Sequence, residues 1–163
     1  TFCHPKETSD VIPTEENERV SVDSIKCPSG DSPTIHERKF LNTGKEVNAD
    51  YSAVVGFEEN LYVFGGLDSD YDRTNECWVY IYDSNTWESL PPMKEKRIFC
   101  RAALVDRNIY LTGGEGLASV EVFDCKTRSW TSGPTMINDH YQHASVTVDG
   151  IIYIFGGSST NKC

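Results

Sequence analysis

Apolar and polar positions along this chain alternate in short blocks. β-Branched and aromatic residues gather in brief runs, and Gly, Asn, Asp and Pro divide them, the pattern of strands joined by tight turns. Within residues 49–93 the runs predict four strands, at Ala53–Val55, Leu61–Phe64, Val79–Tyr82 and Trp87–Leu90, with a turn at Glu58-Glu59-Asn60. Within 97–136 they predict four more, at Ala102–Val105, Ile109–Thr112, Val120–Phe123 and Ser129–Thr131. From residue 140 the same opening begins again and runs to Cys163. Four strands joined in sequence by turns make an antiparallel meander.

The blocks repeat in register. Tyr62 precedes Gly65-Gly66, Tyr110 precedes Gly113-Gly114, and Tyr153 precedes Gly156-Gly157, at spacings of 48 and 43 residues. Trp87 and Trp130 each stand 23 residues before the next tyrosine of the series. The glycine pairs mark the end of each second strand, where the chain turns while neighbouring backbone passes close and a Cβ would clash. The second strands are almost continuously apolar, as strands covered on both faces are. One such meander cannot bury its faces alone, so the units must stack. Radial stacking gives a β-propeller, commonly of about four to eight blades.

These features resemble the kelch repeat. The Tyr-x-x-Gly-Gly motif, the aromatic-Asp pairs Tyr82-Asp83 and Phe123-Asp124, and the spaced tryptophans look like that family. So do the endings Pro91-Pro92-Met93 and Gly133-Pro134-Thr135-Met136. Kelch repeats often carry arginine thirteen residues before the motif tyrosine; here the position holds Ala49, Arg97 and His140, so only the second unit keeps it. The resemblance covers roughly residues 49–163. It implies an all-β fold of kelch-type β-propeller blades, two complete four-stranded blades and part of a third, an incomplete ring with blades at about 49–93, 97–136 and 140–163. With too few blades to close a ring, and with an opening Thr1, the chain is expected to be a piece of a longer protein. The resemblance further implies a non-enzymatic protein-interaction module. Many relatives are BTB-kelch adaptors whose propeller recruits substrates to cullin-based ubiquitin ligases, and the regions that would meet the cullin scaffold are absent here. Other kelch proteins bind actin, which gives a cytoskeletal alternative.

Charge and cysteines narrow the classes further. The formal net charge of −10 argues against nucleic acid as a partner, because phosphate binding needs a basic surface. No apolar run is long enough to cross a bilayer. The six cysteines are scattered without Cys-x-x-Cys spacing, and there is no Asn-x-Ser/Thr acceptor; both lean towards the cytoplasm. Residues 1–48 are rich in Pro, Ser, Thr and Glu and read as a polar linker, disordered or loosely ordered. Val20 and Val22 alternate with polar residues there without an evident partner. A rival reading makes Phe40-Leu41 and Val47 remnants of a degenerate preceding unit.

No catalytic or cofactor motif emerges. His140 and His143 are three apart, but the pattern supplies no third ligand, and metal sites need three or four. A structural role for His143 is therefore expected, with no metal and no cofactor. The turn at Asp83–Trp87 only superficially resembles a sialidase Asp-box, and no Gly-x-Ser-x-Gly nucleophile motif occurs. What remains is binding, through loops held by a rigid scaffold. The loop Leu67–Glu76 is the long one, acidic, with Tyr71, Asp72 and Arg73 expected at its exposed tip; the inter-blade segments offer Arg97, Phe99, His140 and Tyr141. Arg and Tyr are types that anchor interfaces, and Arg97 is expected to touch a partner.

Overall fold

The computed structural model describes residues 19–26, 34–42 and 50–160; before residue 50 it describes backbone pairing alone. Twelve strands are present among these residues, and no helix. Strands β3 (Ala53–Phe57), β4 (Asn60–Phe64), β5 (Cys77–Ile81) and β6 (Thr86–Leu90) form one sheet in sequential order. Strands β7 (Arg101–Val105), β8 (Asn108–Thr112), β9 (Val120–Asp124) and β10 (Ser129–Ser132) form a second. Strands β11 (Ala144–Val148) and β12 (Ile151–Phe155) form the opening half of a third. Every pairing within them is antiparallel. This is the expected architecture of two complete blades and part of a third.

The third strand of the first blade starts two residues earlier than its apolar run suggests, because Cys77 pairs with Phe64 at the end of β4. The first strands lie side by side, β3 against β7 and β7 against β11, so they form the inner wall. The core sits between blades. Tyr62, Phe64, Val79 and Leu90 of the first blade share one buried cluster with Ile109, Leu111 and Phe123 of the second, sealed by Met93 and Cys100 from the connecting segment. Trp130 lies across this seam, its ring 5.6 Å from Phe64 and 4.9 Å from Phe123, and its indole N–H donates to the Pro91 carbonyl at 2.7 Å. Trp130 thus staples the second blade to the end of the first.

Within the 1–48 segment, read as a polar linker that is disordered or loosely ordered, strands β1 (Arg19–Lys26) and β2 (Thr34–Asn42) form an antiparallel hairpin. Val20 pairs with Leu41 and Val22 with Lys39. Their partners lie about twenty residues onward, too far for a local alternation pattern to reveal. The remainder of that segment, Val47 included, lies outside the described residues.

Candidate partner-binding face

In an antiparallel meander the second and fourth strands end at the edge where the first and third begin. The glycine loops and inter-blade segments therefore share one face, and backbone hydrogen bonds join them from blade to blade. Gly66 N–H donates to the Arg97 carbonyl at 2.8 Å, and Gly114 N–H to the His140 carbonyl at 2.9 Å. Arg97 and His140 occupy one repeat position, so different side chains share one backbone duty. A Cβ on Gly65 would run into the Arg97 carbonyl oxygen, and one on Gly113 into that of His140. Both glycines also hold a left-handed φ of 62°, so close approach and conformation each demand glycine. Nearer the inner wall, Phe99 N–H donates to the Tyr51 carbonyl at 3.1 Å, and Gln142 N–H to the Phe99 carbonyl at 3.0 Å.

Arg97 does not face a partner, which corrects the sequence expectation. Its side chain is wholly buried and saturated. Nε and Nη2 donate to Glu121 Oε1 at 3.2 and 3.0 Å, and Nη2 also reaches Glu95 Oε2 at 2.9 Å. Nη1 donates to the Gly113 and Ser119 carbonyls at 2.5 and 3.1 Å, and Nη2 to Ser119 Oγ at 2.7 Å. Glu121 in turn accepts the backbone N–H groups of Lys94 and Glu95. A buried ion pair persists only when geometry and additional hydrogen bonds compensate its desolvation. Here the pair locks the connecting segment onto the second blade. Glu121 is the residue that sequence reasoning missed, and its signal was a lone acid between Val120 and Val122 in an apolar strand.

The other expected residues remain at the surface. Leu67 bridges to Arg73 across the long loop, whose turn is held by Asp68: its Oδ1 accepts the Asp70 and Asp72 N–H groups at 3.0 and 2.9 Å. Tyr71 projects from the tip with 76% of its surface exposed and a φ of 62°. Asp72 and Arg73 are exposed beside it, and Arg73 pairs with Glu115 on the glycine loop of the next blade, tethering the long loop sideways. Phe99 is half-buried, its ring 4.6 Å from Tyr51 and 6.3 Å from Tyr141. Tyr51, which sequence reasoning passed over, thus joins Phe99 and Tyr141 in a row of rings. Its signal was position, eleven residues before the motif tyrosine, as for Phe99.

The described histidine and cysteine side chains offer little chemistry. His143 is buried with Nε2 at 2.8 Å from Thr112 Oγ1, and burial, with Arg101 and His140 nearby, lowers its pKa to about 4. His140 is half-buried, its ring 6.3 Å away and turned edge-on. No group of three or more His, Cys, Asp or Glu able to hold a metal occurs among the described residues. Desolvation raises Cys77 to about 12, and Cys100 and Cys125 to about 11, so none is a ready thiolate near neutral pH.

Comparison with known proteins agrees with this geometry. Residues 34–163 match the KLHDC2/KLHL20/DRC7 Kelch-repeats domain. Kelch-like protein 26 of Danio rerio is 31% identical over 135 residues, which cover 77% of this chain and 22% of that protein. An F-box/kelch-repeat protein of Arabidopsis thaliana is 30% identical over 117 residues, 68% of this chain and 31% of that protein. Alpha-scruin of Limulus polyphemus is 28% identical over 141 residues, 80% of this chain and 15% of that protein. The chain thus spans less than a third of the length of each of these relatives. The match takes in β2, which the resemblance read from residues 49–163 had left out.

Proposed function

The chain belongs to the kelch-repeat family, and from that premise we propose that it is a protein-interaction module, the substrate-recognition part of an adaptor for a cullin-based ubiquitin ligase. The observation that carries the binding role is the long loop, whose exposed Tyr71 is presented on a framework braced within the loop by Asp68 and across the blades by Arg73 and Glu115. A braced loop loses little further entropy on binding, which favours recognition. Tyr71, Asp72, Arg73, Phe99, His140 and Tyr141 are the contact residues in this reading, and Arg97 supports the segment that carries Phe99. The cullin scaffold would be engaged by regions outside this chain. The role needs no cofactor and no catalysis, and its setting is the cytoplasm; no helix among the described residues is long and apolar enough to cross a membrane.

The test uses the full-length protein carrying this chain. Proteins captured by the wild type are compared with those captured by a Tyr71→Asn, Phe99→Asn variant, since Asn tolerates the left-handed backbone at both positions. The expected result is one partner lost from the variant, with that partner's abundance rising in cells lacking the protein. Capture unaffected by the two substitutions would remove this face from the binding role. A partner whose level stays constant would remove the ligase role, and co-sedimentation of the protein with actin filaments would favour the cytoskeletal reading in its place.

A further inference from the structure

Phe123 and Trp130 are cross-strand neighbours on the face that the second blade turns towards the first. Tyr80 and Trp87 are the same pair one unit earlier, directly opposite each other on β5 and β6 with rings 5.4 Å apart. Trp130 donates its indole N–H to the carbonyl of Pro91, the residue that follows the last residue of β6. Trp87 Nε1 is shut off from solvent and has no hydrogen-bond partner among the described residues. A buried donor without an acceptor bears its whole desolvation penalty, so native proteins seldom leave one unpaired. The Tyr80–Trp87 face therefore lacks the one group that completes its counterpart.

The chain carries that group at the equivalent place. The fourth strands β6 and β10 end eleven and twelve residues before the first strand of the next unit, and β2 ends eleven residues before β3. Arg19 pairs with Asn42 as Cys77 pairs with Leu90, the first residue of the earlier strand against the last of the later one. By spacing and register β1 and β2 thus stand where third and fourth strands stand. Thr43 follows β2 as Pro91 follows β6, each 19 residues before a motif tyrosine. The family match also begins inside this hairpin, at the first residue of β2. We propose that β1 and β2 are the outer half of a preceding blade and dock on the Tyr80–Trp87 face, with the Thr43 carbonyl accepting the Trp87 indole N–H. Residues 19–42 are then part of the propeller, whatever the loop face binds.

Hydrogen exchange on the full-length protein with isotope-labelled tryptophan tests this seat. The Trp87 and Trp130 indole protons are identified by their loss in Trp87→Phe and Trp130→Phe variants. Both are expected to exchange at least about tenfold more slowly than a free indole. Removal of residues 19–42 should return the Trp87 proton to the free rate and leave the Trp130 proton protected, which also reports that the two blades remain folded. Trp87→Phe should speed exchange of the β1 and β2 backbone amides by roughly tenfold, and Trp130→Phe should leave them unchanged. If the shortened protein loses protection at Trp130 as well, it has unfolded, and the two Phe variants decide the matter. Free exchange at Trp87 in the intact protein, or hairpin amides indifferent to Trp87→Phe, would overturn the proposal. So would Trp87 protection that survives removal of the hairpin, since another segment would then supply the acceptor.

Discussion

The two complete blades and the two-stranded third carry the same Tyr-x-x-Gly-Gly motif in very different surroundings. Tyr62 is 8% exposed and Tyr153 43%. The first glycine is hemmed in by a carbonyl of the following segment at Gly65 and Gly113, whereas a Cβ at Gly156 would meet nothing within 4 Å. Between the first two blades, Phe123 and Trp130 fill the slot beside Tyr62 and Phe64. The equivalent slot, lined by Tyr110, Thr112, Pro134, Met136, Ile152 and Ile154, is a cavity of about 330 Å³. The motif therefore encodes contacts made with a neighbouring blade, and its residues acquire their structural value when that neighbour is in place.

The sharpest way to break this comparison uses the one repeat position that holds Arg97 in one unit and His140 in the next. Arg97→Ala should destabilise by about 3–5 kcal/mol, because it leaves Glu121 buried without its counter-charge. His140→Ala should cost about 1 kcal/mol or less, as its side chain is half-exposed and the shared backbone duty survives. Urea unfolding of both variants measures the difference, and equal losses would mean that the ion pair contributes nothing to the blade.

A finer contrast compares glycines. Gly113→Ala combines left-handed strain with a backbone clash and should cost about 3 kcal/mol, whereas Gly156→Ala carries the conformational strain alone, about 1 kcal/mol. Similar thermal midpoints for the two would sever the motif from blade contact.

The last contrast concerns acid. His143 titrates near 4 in the folded chain against about 6.5 unfolded, so between those values the unfolded chain binds more protons. Stability should be fully present above about pH 6.5 and fall as the pH drops towards 4, by roughly 3 kcal/mol. A His143→Gln variant should lose this part of the slope, and an unchanged pH profile would show that some other group supplies it.

Much of the fold was legible because a repeat averages over local ambiguity. Tyr62, Tyr110 and Tyr153 with their glycine pairs, and Trp87 with Trp130, located the strands of both complete blades to within a residue or two. The β1–β2 hairpin was not legible, since its pairs join residues such as Val20 and Leu41 whose composition carries no repeat signature. The candidate face was legible in part. The length and acidity of the Leu67–Glu76 loop pointed to Tyr71, Asp72 and Arg73, and all three lie at the surface. Arg97 misled, because arginine suits both an interface and a buried ion pair. Its partner Glu121 stands 24 residues away, on the third strand of the same blade. Tyr51 went unnoticed for a related reason: its meaning lies in the Phe99 and Tyr141 rings that follow it from the next two repeats.

By itself the sequence determined the period, the strand count per unit and the glycine positions, since each is a local demand of backbone geometry that one short motif can state. Tertiary structure alone decided which charges are buried and which reach solvent. That choice depends on desolvation and on partners brought from distant parts of the chain, as Glu121 is brought to Arg97 and Glu115 to Arg73.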